Sequence, residues 1–333
     1  MIETNVLVPD QDFIVLHECT DSSVNAASWV AKHRSAIERS LLKHGAVLLR
    51  GFACDPDVFS RVADQISPMC IDYRGGNAPR LALPGNIFTS TELPPSVTLV
   101  QHHEMLFTLC WPMKLLFYCD LPAASGGETP LCSGPWVTRK LPARILKAFE
   151  DHQGVTYIRN FRPDNPLKNI EDTFNTKDPA EIERLCRKDG MAYEWKGTSW
   201  LQTRQVRPAF RTHPVTGDRV FVATAHLWHR TAWSRQVPKS TTDYSMALTD
   251  DPTTSWMHAL YGDGTAIDDA VVNELHDFFE AEKISIPWQR GDILILDNIL
   301  VSHGRNPFTG PRRILAALRE PYHAETGFLP GTE

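Results

Sequence analysis

Gln101-His102-His103-Glu104 follows an apolar, β-branched approach, Val97-Thr98-Leu99-Val100, with no helix start or stop signal inside it. In an extended strand successive side chains alternate faces, so His102 and Glu104 point one way and His103 the other. An imidazole and a carboxylate so placed can grip one divalent ion from one side, with a third ligand brought from elsewhere. Alone the triplet says little, because 13 His and 40 acidic residues produce such spacings by chance. The far end of the chain adds weight. A buried-strand pattern from Gly291 to Asn298 is followed by Ser302-His303-Gly304-Arg305, which places a second histidine just past the strand. Arg312-Arg313 then opens the apolar run Ile314 to Leu318, which sets one arginine of the pair on the inner face. A buried cation needs an anion.

Two histidines and one carboxylate form a facial triad suited to non-haem iron, with coordination positions left over for small molecules. The spacing of His102-x-Glu104, Trp111-Pro112, Cys119, Gly126-Gly127-Glu128-Thr129-Pro130, Asp297-Asn298, His303-Gly304-Arg305 and Arg312-Arg313 resembles the taurine dioxygenase (TauD/TfdA-like) group of iron(II)- and 2-oxoglutarate-dependent oxygenases. Within that group it looks most like the syringomycin-biosynthesis hydroxylase branch, which Thr203 to Ala209, His213-Pro214, Thr216-Gly217 and Ala225-His226-Leu227 also fit. The resemblance spans roughly residues 40 to 320. It implies iron(II) on His102, Glu104 and His303, and 2-oxoglutarate with its far carboxylate on Thr129 and Arg313, the second arginine of the pair being the matching family position. Dioxygen is the remaining co-substrate. The implied reaction is oxidative decarboxylation to succinate and carbon dioxide, coupled to hydroxylation of an unactivated C–H bond.

The same resemblance bears on substrate. Taurine dioxygenase carries a sulfonate-binding arginine four residues beyond the keto-acid arginine, where this chain has Ala317, so taurine is a poor expectation. The branch implies an amino acid, free or tethered to a carrier protein, in a specialised-metabolite pathway. It usually carries an Asn-Gln pair where this chain has Ala223-Thr224. Glu104 favours hydroxylation over halogenation, because halogenating relatives have a small residue there. Desaturation or cyclisation can branch from the same chemistry. A metal-dependent hydrolase could also use two histidines and a carboxylate, but would leave Thr129 and an inward arginine unexplained.

At 333 residues and 42% hydrophobic content the chain can bury a sizeable core, and no linker demands a boundary between domains. A formal charge of −6 gives no basic footprint for nucleic acid. No leader pattern and no long apolar span are evident, so the sequence reads as cytoplasmic with no membrane contact. Seven cysteines without a Cys-x-x-Cys pair suit a reducing compartment, and Cys110, Cys119 and Cys132 read as packing residues. Oligomeric state is not legible.

Taken in order, Val6 to Leu16 reads as a short strand, Asp21 to Gly45 as a helix, Ala46 to Phe52 as a buried strand and Asp55-Pro56 as the start of a second helix. Residues 67–95 lose periodicity and carry several Gly and Pro, which predicts a site-covering loop, with Arg80 a candidate for a substrate carboxylate. Met113 to Cys119 suits a central strand, Pro135 to His152 a helix and Gly154 to Phe161 a strand. Residues 162–200, including a helix after Asp178-Pro179, read as an insertion on the substrate side. Trp200 to Pro208 and Asp218 to Ala223 suggest a hairpin-like pair, in which Arg204 and Arg207 are further substrate candidates. His226 and His229 read as packing or substrate contacts, and Asp268 to Glu282 as a helix. Many strands with helices to one side, and ligands from opposite ends of the chain, indicate an α+β fold with a mainly β core. The expected architecture is a double-stranded β-helix, the jelly roll of clavaminate synthase-like proteins, with flanking helices.

Overall fold

The computed structural model describes residues 1–71, 81–90, 93–163, 169–236, 251 and 254–329. Its spine is the long strand Cys110–Leu121, nearly all buried, which pairs antiparallel with Ile293–Asp297 on one side and with Arg313–His323 on the other. Ala46–Arg50 extends this sheet beyond Ile293–Asp297, then come Phe13–Cys19 and Ile2–Val8. Phe13–Cys19 and Ala46–Arg50 run parallel because the helix Ala26–His44 carries the chain back between them. Asn25 caps that helix through its side chain, and Gly45 ends it at φ 72°. The helix Pro56–Ile66 begins at Asp55, whose carboxylate accepts from Val58 N–H.

Alternation along the spine sorts the core into two layers. Leu116 and Tyr118, with Ile295, Leu315 and Ala317, pack under the two N-terminal helices. Met113, Leu115, Phe117 and Cys119, with Leu294, Leu296, Ile314, Ala316 and Leu318, face the other way. That second layer also holds Leu131 and Val301, from the three-stranded sheet Leu99–His102, Val301–Arg305 and Leu131–Ser133. Two sheets closed over one apolar layer form the double-stranded β-helix, and burying each such aliphatic side chain contributes about 1.5–3 kcal/mol.

The remaining chain forms a separate four-stranded sheet, ordered Ala192–Lys196, Trp200–Arg207, Val155–Phe161, Met257–Tyr261. The expected pairing of Trp200 to Pro208 with Asp218 to Ala223 does not occur. Pro208 cannot continue a ladder, so the hairpin is instead Phe210–Thr212 with Arg219–Phe221, and Trp200–Arg207 pairs with the preceding strand Ala192–Lys196 and with Val155–Phe161. Three other boundaries differ from expectation. The N-terminal region is two paired strands separated by a short turn at Pro9–Gln11, with Asp12 at φ 50°. Pro142 splits the 135–152 region into the helices Gly134–Lys140 and Ala143–Asp151. Within 67–95, Ile87–Thr89 is a strand on the edge of Arg313–His323.

Candidate active site

The strands Leu99–His102 and Val301–Arg305 are antiparallel neighbours in which His102 and His303 are direct partners, their ring centroids 4.4 Å apart. Glu104 lies beyond the strand's end, in the turn that follows, rather than on the strand itself. Its carboxylate Oε2 nevertheless stands 3.9 Å from His303 Nε2, and one donor atom from each of His102, Glu104 and His303 lies within 4.8 Å of the others. One ion about 2 Å from each donor fits that spacing. His102 donates Nδ1–H to Val100 O (2.9 Å), a tautomer that leaves the Nε2 lone pair for a metal. Glu104 and His303 are almost wholly buried.

Asn298 is what holds Glu104 in place after the strand has ended. Its Oδ1 accepts from Glu104 N–H, its Nδ2 donates to Glu104 O and Pro112 O, each at 2.8 Å, and its carbonyl accepts from His103 Nδ1 at 2.7 Å. His103 thus faces away from the triad, as alternation predicts. Burial holds it neutral and lowers its pKa to about 4. Gln101 works on the other flank, donating to Pro130 O and accepting from Ser302 Oγ. Gly304 must be glycine, since a Cβ there would meet Leu99 O at 2.5 Å.

Next to Asn298, Asp297 is fully buried yet charged. Burial pushes its carboxyl up, but the Lys114 ammonium, His213 and the Leu300 N–H overcome this and hold it at about 2. Lys114 reaches Asp297 and Glu38 at 3.1 Å each. His213 Nδ1 accepts from Val215 and Thr216 N–H, so the ring's Nε2 carries the proton donated to Asp297 at 3.1 Å. A lone lysine inside an apolar twelve-residue strand was the available signal for this network. Sequence reasoning did not use it.

A cleft runs outward from His303, lined by Ser90, Leu99, Thr129, Arg305 and Arg312. Thr129 is buried there, its hydroxyl making no hydrogen bond with any described residue. The arginine expected inside, Arg313, is not. Its side chain is 52% exposed and pairs with Asp120 at 3.0 Å. Strand parity gives the reason: Ile314, Ala316 and Leu318 face the metal-side layer, so even-numbered Arg312 points in, and a register shift at Arg313–Ile314 accommodates Asp120. Arg312 donates to Gly127 O (2.9 Å) and Ser90 Oγ (3.2 Å), and has no ion-pair partner among the described residues. Burial and the neighbouring Arg305 pull it down to about 10. Gly127, at φ 74°, leaves room for it, since a Cβ would lie 3.0 Å from the Arg312 side chain. On the same inner face, four residues past Arg312, stands Ala316.

Of the substrate candidates, Arg80 lies outside the described residues. Arg204 is on the exposed face of Trp200–Arg207 and contacts Gln202. Arg207 is buried, donating to Phe107 O at 3.0 Å and Asp189 O at 2.7 Å, so it ties the turn after Glu104 to the insertion. Burial and Arg211 lower its pKa. His226 donates to Gln101 O at 2.7 Å and stacks on Phe279, and neither it nor His229 belongs to the metal-competent group. All seven cysteines are free thiols, and no described helix is long and apolar enough to cross a membrane.

The chain's likenesses follow the same outline. The family model described as "Taurine catabolism dioxygenase TauD, TfdA family" matches residues 17–318. The dapdiamide synthesis protein DdaC of Enterobacter agglomerans is 34% identical over 291 residues, 86% of this chain and 85% of the relative. A clavaminate synthase-like protein of Arabidopsis thaliana is 31% identical over 291 residues, 85% of this chain and 83% of its own. PvcB of Pseudomonas aeruginosa shares the fold at TM-score 0.56 and 15% identity, over 99% of this chain and 96% of its own. The chain therefore belongs to the TauD/TfdA family, oxidoreductases that use iron(II), 2-oxoglutarate and dioxygen on a double-stranded β-helix.

Proposed function

We propose that this dioxygenase hydroxylates an unactivated C–H bond of an amino acid, or of a small molecule derived from one, in specialised-metabolite biosynthesis. His102, Glu104 and His303 hold the iron, and Thr129 and Arg312 hold the far carboxylate of 2-oxoglutarate. The observation that carries this reading is Arg312, a buried cation with no ion-pair partner among the described residues, in one cleft with His303 and Thr129. A carboxylate there would supply a charge-assisted pair where the fold supplies only neutral acceptors. Together, iron(II), 2-oxoglutarate and dioxygen supply the oxidising power, with succinate and carbon dioxide as by-products. The chain's own work is to orient and to exclude water. Asn298 fixes the Glu104 backbone, Val100 fixes the His102 tautomer, and the apolar layer around Phe117 keeps the triad dry.

Glu104 fills the position that a chloride would need, which supports hydroxylation over halogenation. DdaC is named for dapdiamide synthesis, which supports a biosynthetic role. The test is anaerobic loading with iron(II) and 2-oxoglutarate, followed by an oxygen pulse with amino acids presented free and on a carrier protein. Oxygen-dependent succinate and a product heavier by one oxygen are expected. A product lighter by two hydrogens would show desaturation or cyclisation instead, and no succinate under any condition would refute the reading.

A further inference from the structure

The turn that follows Ile293–Asp297 leads straight into Val301–Arg305, the strand of His303, and through Asn298 it also holds Glu104. A single side chain closes it. Asp297 Oδ1 accepts from Ile299 N–H and Leu300 N–H at 3.1 Å each, and its Oδ2 accepts from Lys114 Nζ and His213 Nε2, again at 3.1 Å each. The backbone is pinned as well, because Asp297 N–H donates to Gly45 O, Asn298 N–H to Met113 O, and Leu300 O accepts from Gly134 N–H. With Asn298 fixed, its amide can hold Glu104. With Leu300 fixed, the next strand leaves in the direction that sets His303 opposite His102.

Stability does not explain why the closing group is an ion. Lys114 and Asp297 are cross-strand partners, both buried, and a buried ion pair replaced by apolar side chains of similar size is often neutral or stabilising, since desolvation offsets the attraction. What the charge adds is direction. Hydrogen bonds to an ionised oxygen are about twice as strong as neutral ones, and four of them converge on this carboxylate. The donors are held in their turn. Burial pulls Lys114 down, and the carboxylates of Asp297, Glu38 and Glu320 raise it in spite of that. The His213 ring is held by the Val215 and Thr216 amides, which leaves Nε2–H for Asp297. Asp297 thus gathers the spine strand, the helix Ala26–His44 and the hairpin onto one turn.

We infer that Lys114, Asp297 and His213 are positioning residues for the metal, setting Glu104 and His303 jointly through this turn. This rests on the iron assignment above and extends it to side chains outside the metal-competent group. His102 does not depend on the turn, because Val100 O fixes its tautomer. Loss of the network therefore leaves one imidazole in place and releases the other two donors, which loosens the ion without removing a ligand.

Iron(II) affinity is read anaerobically by chelator competition, beside the melting temperature and the visible ligand-field spectrum of the cobalt(II)-loaded protein, which reports donor geometry. Asp297→Asn keeps an oxygen for the two amides and removes the charge, so it should bind iron about tenfold more weakly and shift the cobalt bands. Adding Lys114→Met takes away the ammonium left facing a neutral amide. The double variant should regain the melting temperature and still bind iron about tenfold more weakly, whereas a role in folding alone would restore both together. His213→Ala, outside the spine, should give a smaller loss in the same direction. The inference is overturned if iron affinity returns with the melting temperature in the double variant, or if Asp297→Asn or His213→Ala matches the parent in both iron affinity and cobalt spectrum. A parent that keeps no iron would sink the iron assignment itself, while a parent and variants that keep it equally well sink only the positioning.

Discussion

The two sides of the triad are built differently. The side proposed for the keto acid is sheet. His303, Thr129 and Arg312 sit on or beside strands of the two facing sheets, Gly304 lets two backbones close to contact, and Gly127 leaves room for the Arg312 side chain. The insertion side is a smaller sheet with short helices, joined to the metal-bearing turn by side-chain hydrogen bonds from Arg207 and His226. The keto acid is the same for every family member, so its pocket can be made rigid once. The substrate differs, and a pocket on the insertion side would be made of parts that can change without disturbing the sheets.

If that division holds, damage on each side should stay on its side. His303→Ala has the largest expected effect: iron retained after desalting falls from stoichiometric to background, measured by metal analysis, and turnover is abolished. Normal turnover would remove His303 from the site. Arg312→Ala comes next. Losing a charge-assisted pair of about 1.5–3 kcal/mol should raise the 2-oxoglutarate KM about 10- to 100-fold with iron content unchanged. Arg313→Ala should change it less than about twofold, because an exposed pair contributes about 0–1 kcal/mol. The reverse ranking would restore Arg313.

Asn298→Ala should loosen iron by about tenfold, the lower end for residues that orient a ligand, and competition with a chelator would measure it. A further measurement tests the insertion side through pH. His229 and His258 are packed together and mostly buried, and burial lowers them to about 4 and about 3. Folded pKa values below the unfolded value mean that unfolded chains take up protons first. Stability is therefore full above about pH 6.5 and declines towards pH 4, by at most about 1.4 kcal/mol per pH unit for each group. Urea midpoints across that range should fall, and His258→Asn should flatten the slope.

Much of the keto-acid side was legible in the sequence, since its residues come in fixed local spacings: His-x-Glu, Gly-Gly-Glu-Thr, His-Gly-Arg. What misled was parity. Choosing Arg313 over Arg312 needed the knowledge that Ile314 faces the metal layer, which depends on the partner strand and the shifted register at Asp120. The two-residue spacing of His102 and Glu104 named two side chains that do converge with His303, but through another geometry, because Asn298, far along the chain, replaces the strand as the support. The insertion side was least legible. Arg207 was visible as a candidate, yet its partners are backbone carbonyls of Phe107 and Asp189, and carbonyls leave no trace in residue types. The hairpin was misassigned because Pro208 separates two strands that belong to different sheets.

If His102 and His303 hold the iron as proposed, their direct pairing sets when the protein can first take it up. The ribosome delivers the first histidine long before the second, and the loop between them closes only once the last third has emerged. On that assignment loading is confined to nearly finished chains, and a nascent or truncated product ending before Val301 carries two of the three ligands. Pulse-chase synthesis with radioactive iron would register no label on such fragments.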